Sequence, residues 1–571
     1  MRRASMARTT KRWPGAHRQT RNGLVVLILI GLLAACGTTA DTTTTAGGAT
    51  TPTSAGTTEP APGTTAAPGT TTPPDTGPVT VRLGIAPGPS VGIDPVLIND
   101  EAGLSLLGQT AEFLTFSDSE LNLRPVLAES WESNDTLDVW TFHLNPNATF
   151  HDGSPVTAED VAATFNGPIS TGNAGSAYET YGFTAGNAEA IDEVTIQFTL
   201  DRPSGAFPFF VSSDNYNAVI LPAEFWDSYE AGAYEQSFVG SGPWINESYE
   251  PGVSATYVKN EDYWGDNSAQ PDRLEVTFFE NETALVTAFQ GNALDIAYRV
   301  SFTNAETLEA AGNVTQSVPT AQHRQIYMDA STPPFDDVRV RQAVALSIDR
   351  QLYVDGLLGG FGVIGNDHPI WQFYPMFNEG AAEQREYDLE VAQVLLAEAG
   401  YPDGFETRID TLQFAEIENL ATLLQQSLAA IGIAAEVNVV DSDTYYQEFW
   451  CAFPYEGPCA PGAQSSIGIV NYGHRGVPDV YLGAPLLSDG QWNASHWVHP
   501  DYDGLFAEFG GAPTIEAQTE TAGEIESILW EEVPFIVPYF IDFISVTVPN
   551  FTGLEVTGMG HFNLVNAGFT G

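Results

Sequence analysis

Apolar and polar residues alternate from Val79 to Ile85 and again from Trp140 to Leu144, the period of half-buried strands. Elsewhere the period lengthens to that of a helix. Val340, Val344, Ile348 and Leu352 recur every four residues behind Pro333-Pro334 and Asp336-Asp337, and Ile417, Leu420, Leu424, Leu428 and Ile431 form a second stripe. The second stripe ends at Gly432, suited to a left-handed cap, and Ile433 to Val440 follows as a strand rich in branched residues. Asp388 to Ala399, closed by Gly400, reads as a third helix. Another begins after the turn at His151-Asp152-Gly153-Ser154-Pro155, where Thr157 caps, Asp160 returns the capping bond, and the helix runs towards Phe165. Helix feeding strand is α/β organisation, and no repeat of solenoid period is present.

The chain has 571 residues, too many for one core, so two or three lobes are expected. Its 43% hydrophobic and 11% aromatic content is that of a globular protein. Asp and Glu number 73 against 20 Lys and Arg, a formal net charge of -53, with lysine only at positions 11 and 259. Such a surface repels nucleic acid and anionic membranes. It fits a solvated exterior for salty surroundings, or a receptor that attracts cations.

The first segment breaks this pattern. Residues 1–35 combine early basic residues, an apolar run from Leu24 to Leu33, and Ala34-Ala35 directly before Cys36. A run of about ten residues is too short to span a bilayer, which takes about 20 residues, and reads as an export signal. Leu33-Ala34-Ala35-Cys36-Gly37 resembles the bacterial lipobox, which implies diacylglycerol attachment at Cys36 and an extracytoplasmic protein on the outer face of the cell membrane. Residues 36–78 then form a Thr-, Ala-, Gly- and Pro-rich tether. Its flexible span is about 35 Å. The remaining cysteines, Cys451 and Cys459, lie close together in a Pro- and Gly-containing stretch, where a disulfide is expected outside the cytoplasm.

Ordered blocks across the body carry a resemblance. Ile93-Asp94-Pro95 is similar to a Leu-Asp-Pro turn, and Arg124 to Trp131 to a Pro-x-Leu-Ala-Glu-x-Trp block. Phe150-His151-Asp152-Gly153 with Thr157 to Val161, Gly240-Ser241-Gly242-Pro243-Trp244, Asn260 to Trp264, Gln290 to Ile296, and Pro334 to Arg350 follow in series. Together they resemble the peptide- and nickel-type solute-binding proteins of ABC importers, family 5. The resemblance implies a type II periplasmic-binding fold of two hinged α/β lobes plus an inserted lobe. The first lobe is expected at 79–122, 236–320 and 536–571, the inserted lobe at 123–235 and the opposing lobe at 321–535. It implies capture of a small organic solute between closing lobes, as a monomer, and delivery to membrane permease subunits, without catalysis, cofactor or metal.

Peptide-binding relatives present an Asp to the ligand amine from a Trp-Gly-Trp-x-x-Asp-Tyr-x-Asp-Pro loop. The corresponding stretch runs from Asn471 to Val480, with Gly476 at the place of that Asp and Arg475 beside it. Arg475 is a candidate clamp for a carboxylate, phosphate or sugar hydroxyl, or else a loop Arg paired with one of the many acids. Tyr472 is a candidate stacking surface, and Asp479 matches the second loop Asp or serves as a turn or cap residue. Trp371, Tyr374, Trp492 and Trp497 line the cleft or pack lobe cores.

Enzyme signals are weak. Gly360 to Gly365 has the dinucleotide-type glycine pattern but follows a helix and reads as a loop. His496 and His499 lack the neighbouring Glu of a zinc helix and read as an exposed loop pair. A lipid-anchored hydrolase of peptides or glycosides, acting through paired cleft acids, stands as the alternative, with a sensory receptor as a third reading.

Overall fold

The computed structural model describes residues 78–98, 100–171, 175–266, 269–450 and 465–570. The signal segment, Cys36, all of the tether before Pro78, and the Cys451 and Cys459 pair lie outside them.

The alternating segment at the start is the strand Thr80–Ile85, central in a seven-stranded sheet. It runs parallel to Arg273–Phe278 and Ile296–Tyr298, and Val81, Leu83 and Ile85 are buried. Ser254–Lys259 and Trp244–Glu250 extend one side of the sheet, and Phe543–Thr547 and Val314–Val318 the other. A second sheet is ordered Gly362–Ile364, Tyr539–Ile541, His323–Met328, Ile467–Tyr472, Glu406–Leu412, Ala434–Val440, with Phe535–Ile536 also paired to His323–Met328. Its Glu406–Leu412 strand is parallel to both neighbours, and the helix Ile417–Ala430 carries the chain back across the sheet to one of them, Ala434–Val440. The expected stripe on that helix is the buried one: Ile417, Leu420, Leu424 and Leu428 are fully covered. Gly432 takes φ +91°, the left-handed conformation that a side chain resists.

The third sheet, Ala128–Ser133, Val139–Leu144, Thr195–Leu200 and Phe183–Asp192, is antiparallel throughout. Its inner face meets Phe165, Phe207 and Phe210, whose rings pack at 5.2–5.6 Å on Phe198 and on one another. The capping box at Thr157 forms as read, with Asp160 Oδ2 accepting from Thr157 N at 2.8 Å.

Two sequence expectations are corrected. The stripe from Val340 to Leu352 is two helices, Val338–Leu346 and Arg350–Leu358, and Leu352 is 55% exposed. Ser347 Oγ turns back to the Val344 carbonyl at 2.7 Å and Asp349 caps the second helix through Leu352 N, so polar side chains compete for the backbone and break the run. The glycine-rich stretch contains an edge strand, Gly362–Ile364, not only loop. Side chains at Gly362 and Gly365 would meet the carbonyls of Phe540 and Val537 at 2.4 and 2.1 Å, so close backbone approach explains those glycines.

The chain leaves the first sheet after Val318, enters the second at His323, and returns between Ile541 and Phe543. These two passages are tied together: Ile541 N donates to Gln322 O at 2.8 Å and Thr320 Oγ1 to Ile541 O at 2.6 Å. Paired crossings of this kind form a short hinge between two sheet-based bodies.

Candidate functional site

The strand Ile467–Tyr472 sits inside the second sheet, and the loop that follows it, Gly473 to Gly476, leaves towards residues of the first. Burial and the adjacent Arg475 hold the His474 imidazole down to about 3, leaving it neutral, and its Nδ1 accepts from Ala321 N at 2.9 Å beside the hinge. Trp371 meets the same ring edge-on at 6.1 Å. Tyr374 donates to the Arg475 carbonyl at 2.5 Å, and the Tyr481 hydroxyl to that of Gly473. The backbone of the loop is thus fixed by hydroxyls from its own lobe, leaving the Arg475 side chain to face elsewhere.

It faces Tyr216. The Arg475 guanidinium carbon lies 5.2 Å from that ring's centroid, and Nη1 donates to the His474 carbonyl at 2.8 Å. Among the described residues Arg475 forms no ion pair, although the chain carries 73 acids. A Cβ at Gly473 would stand 3.4 Å from the Tyr216 hydroxyl and 3.7 Å from a Glu101 carboxylate oxygen. Glu101 opens the helix Glu101–Thr110 and is itself paired with Arg299 at 2.6 Å.

At Gly476 a Cβ would lie 1.7 Å from Asp214 Oδ2 and 2.9 Å from Phe209. The carboxylate of Asp214 therefore stands in the space that a side chain at 476 would need. Asp214 is buried, its Oδ2 has no hydrogen-bond partner, and burial pushes its carboxyl up to about 7 against the opposing influence of Ser117 and Arg475. Tyr181, Asp214, Tyr216, Asn217, Arg475 and Val480 are among the residues around a small cavity of about 50 Å³.

The other sequence candidates fall around this loop. Asp479 opens the short helix Asp479–Gly483; it is buried, with its carboxyl pushed up to about 6 by desolvation. Tyr472 lies parallel to His323 at 5.4 Å and touches Trp492 at 6.1 Å. Trp497 has its ring contacts with His499 and Tyr502 instead, in the core of the second sheet's body. His496 lies 3.2 Å from Asp329, and His499 caps the helix Pro500–Gly510 by accepting from Tyr502 N. Among the described residues no cluster of three or more His, Cys, Asp or Glu could hold a metal ion. Asp214, Tyr216, Glu101 and Arg299 were not apparent from the sequence, because nothing in their local pattern differs from surface or cap residues.

Replacing Tyr374 by Phe removes one support of the loop at a net cost of about 1 kcal/mol. Ligand affinity is expected to fall by about fivefold, measured by calorimetry, with the melting temperature nearly unchanged.

Residues 122–454 match the family described as bacterial extracellular solute-binding proteins, family 5, middle region. Heme-binding protein A of Haemophilus influenzae is 25% identical over 520 residues, covering 82% of this chain and 89% of that protein. The glutathione-binding protein GsiB of Escherichia coli K12 is 25% identical over 483 residues, covering 81% and 90%. The structure of the periplasmic binding protein DppA from Helicobacter pylori, in complex with the peptide STSA, superposes with a TM-score of 0.68 at 21% identity, covering 86% of this chain and 98% of that one. The chain belongs to family 5 of the bacterial extracellular solute-binding proteins, the non-catalytic, extracytoplasmic substrate-binding components of ABC importers.

Proposed function

We propose that the chain captures a small, peptide-like solute whose acidic group meets Arg475 and whose hydrogen-bond donor meets Asp214, between lobes built on the first and second sheets. The observation that carries this reading is the half-buried guanidinium of Arg475, facing Tyr216 with no carboxylate paired to it among the described residues. A guanidinium held by a carbonyl and a ring keeps donors for an anion, and a ligand carboxylate in that position forms a strong charge-assisted bond. Ligand contacts made on both bodies favour the closed form, which the permease would then engage. Lipid attachment at Cys36 would hold this body at the outer face of the membrane.

The test is mass spectrometry of ligand released from gently purified protein, with a thermal-shift screen of peptides, sugars and carboxylates. A ligand that binds only the folded state raises the melting temperature. An acidic solute is expected to give the shift, and Arg475→Ala to weaken its affinity by about tenfold to a hundredfold, the worth of a hydrogen bond to a charged group. A shift given only by uncharged solutes and unmoved in Arg475→Ala would refute the assignment.

A further inference from the structure

The helix Glu101–Thr110 begins at the cleft and ends, about 15 Å away, at a second and larger cavity of about 280 Å³. Gly108, Gln109 and Glu112 line it from this side, and Trp244, Tyr263 and Phe562 from others. Rings form part of its wall: Phe113, Phe116, Trp244 and Tyr263 all border the space.

Two polar groups in these walls are unusual. Glu112 is 8% exposed and accepts from the Tyr263 hydroxyl at 2.6 Å and Trp264 Nε1 at 3.0 Å. Among the described residues it forms no ion pair. Burial raises its carboxyl to about 7, which those hydrogen bonds only partly offset. A buried acid is ordinarily matched by a cation, so this one lacks its usual partner. Trp244, fully buried, has an indole N–H with no hydrogen-bond acceptor.

Neighbouring cations do not supply what is missing. Arg124, at the rim, lies over Phe116 at 5.5 Å and beside Asp118 at 3.5 Å. His561 is kept neutral by burial, its pKa near 4, and its Nε2 is held by the Ser213 carbonyl at 2.9 Å.

We propose that this cavity is a second binding site, distinct from the interlobe cleft, for a small organic amine with an aromatic body. The ammonium pairs with Glu112, and the rings of Phe116 and Tyr263 take the apolar body and the positive charge. Aromatic faces attract cations, more strongly when both are desolvated. The formal charge of -53 concentrates cations around the whole protein.

The probe is tyramine, titrated calorimetrically into the full chain, with 4-hydroxyphenylacetate as the matched anion. Saturable binding of tyramine alone is expected, weakened at least about tenfold by Glu112→Gln, the loss of a charge-assisted contact. Val126→Phe, which fills the cavity from its partly exposed wall, is expected to abolish binding and serves if Glu112→Gln does not fold. Arg475→Ala should bind tyramine as the parent does. No binding, equal binding of the anion, affinity unmoved in both cavity variants, or loss in Arg475→Ala would each overturn the proposal. Only the last of these would assign the amine to the cleft, and none of them bears on the capture of an acidic solute there.

Discussion

Asp367→Ala is expected to destabilise the body of the second sheet by about 3–5 kcal/mol, the cost of leaving buried charges without their partner. Asp367 is fully buried, and its two oxygens are divided between Arg350 at 2.5 Å and Arg385 at 2.6 Å. Both arginines are nearly as buried as the acid, and Arg385 also stacks on Trp530 at 4.2 Å. Removing the carboxylate leaves two guanidinium groups in an apolar setting with only carbonyl acceptors. Glu247→Ala removes one of the two acids paired with Arg273, from a pair at 2.8 Å in which Glu247 is 52% and Arg273 35% exposed. Solvent screens that pair, and its loss is expected to cost less than about 1 kcal/mol. Calorimetric melting checks both: a transition lowered by about 10 °C for Asp367→Ala, with Glu247→Ala almost unmoved. Equal shifts would mean that burial does not govern the strength of these pairs.

That triad also marks what could not be read from the sequence. The strands Thr80–Ile85 and Val139–Leu144 and the helix Leu389–Glu398 were legible because period, cap residue and terminal glycine agree locally. The break at Ser347 to Asp349 was hidden by an apolar period that continued past it, while only short-range polar bonds reveal the stop. The resemblance drew attention to the Asn471 to Val480 stretch, in which Arg475 lies over the Tyr216 ring. Its surroundings come from distant parts of the chain: Tyr216 from the connection after Phe207–Phe210, and Glu101 from the first helix. Tyr472 and Trp497 could be named as aromatic, but whether a ring faces a cleft or a core depends on packing that no local pattern encodes.

Gly476 carries the second large effect. Peptide-binding relatives have an Asp at this place, so Gly476→Asp would be expected from sequence alone to restore a function. The geometry predicts the opposite. The new Cβ would fall 1.7 Å from Asp214 Oδ2, forcing two carboxylates into one buried space. Steric overpacking costs about 1–3 kcal/mol. Like charges at this distance add to it by making one of the pair hold a proton. Since the clash exists only when the loop lies against the segment bearing Asp214, the closed form is penalised and the separate bodies are not. Ligand affinity is therefore expected to fall by about a hundredfold or more, with the melting temperature of the ligand-free protein nearly constant. The double variant Gly476→Asp with Asp214→Gly moves the carboxylate from one body to the other and relieves the overlap, so it should recover most of that loss. Calorimetric titration of the parent, both single variants and the double variant forms a complete cycle, in which the double variant is expected to lose far less than the sum of the single losses, a large negative coupling. Additive losses would mean that the two positions do not meet in the ligand-bound protein, and that the cleft closes on some other surface.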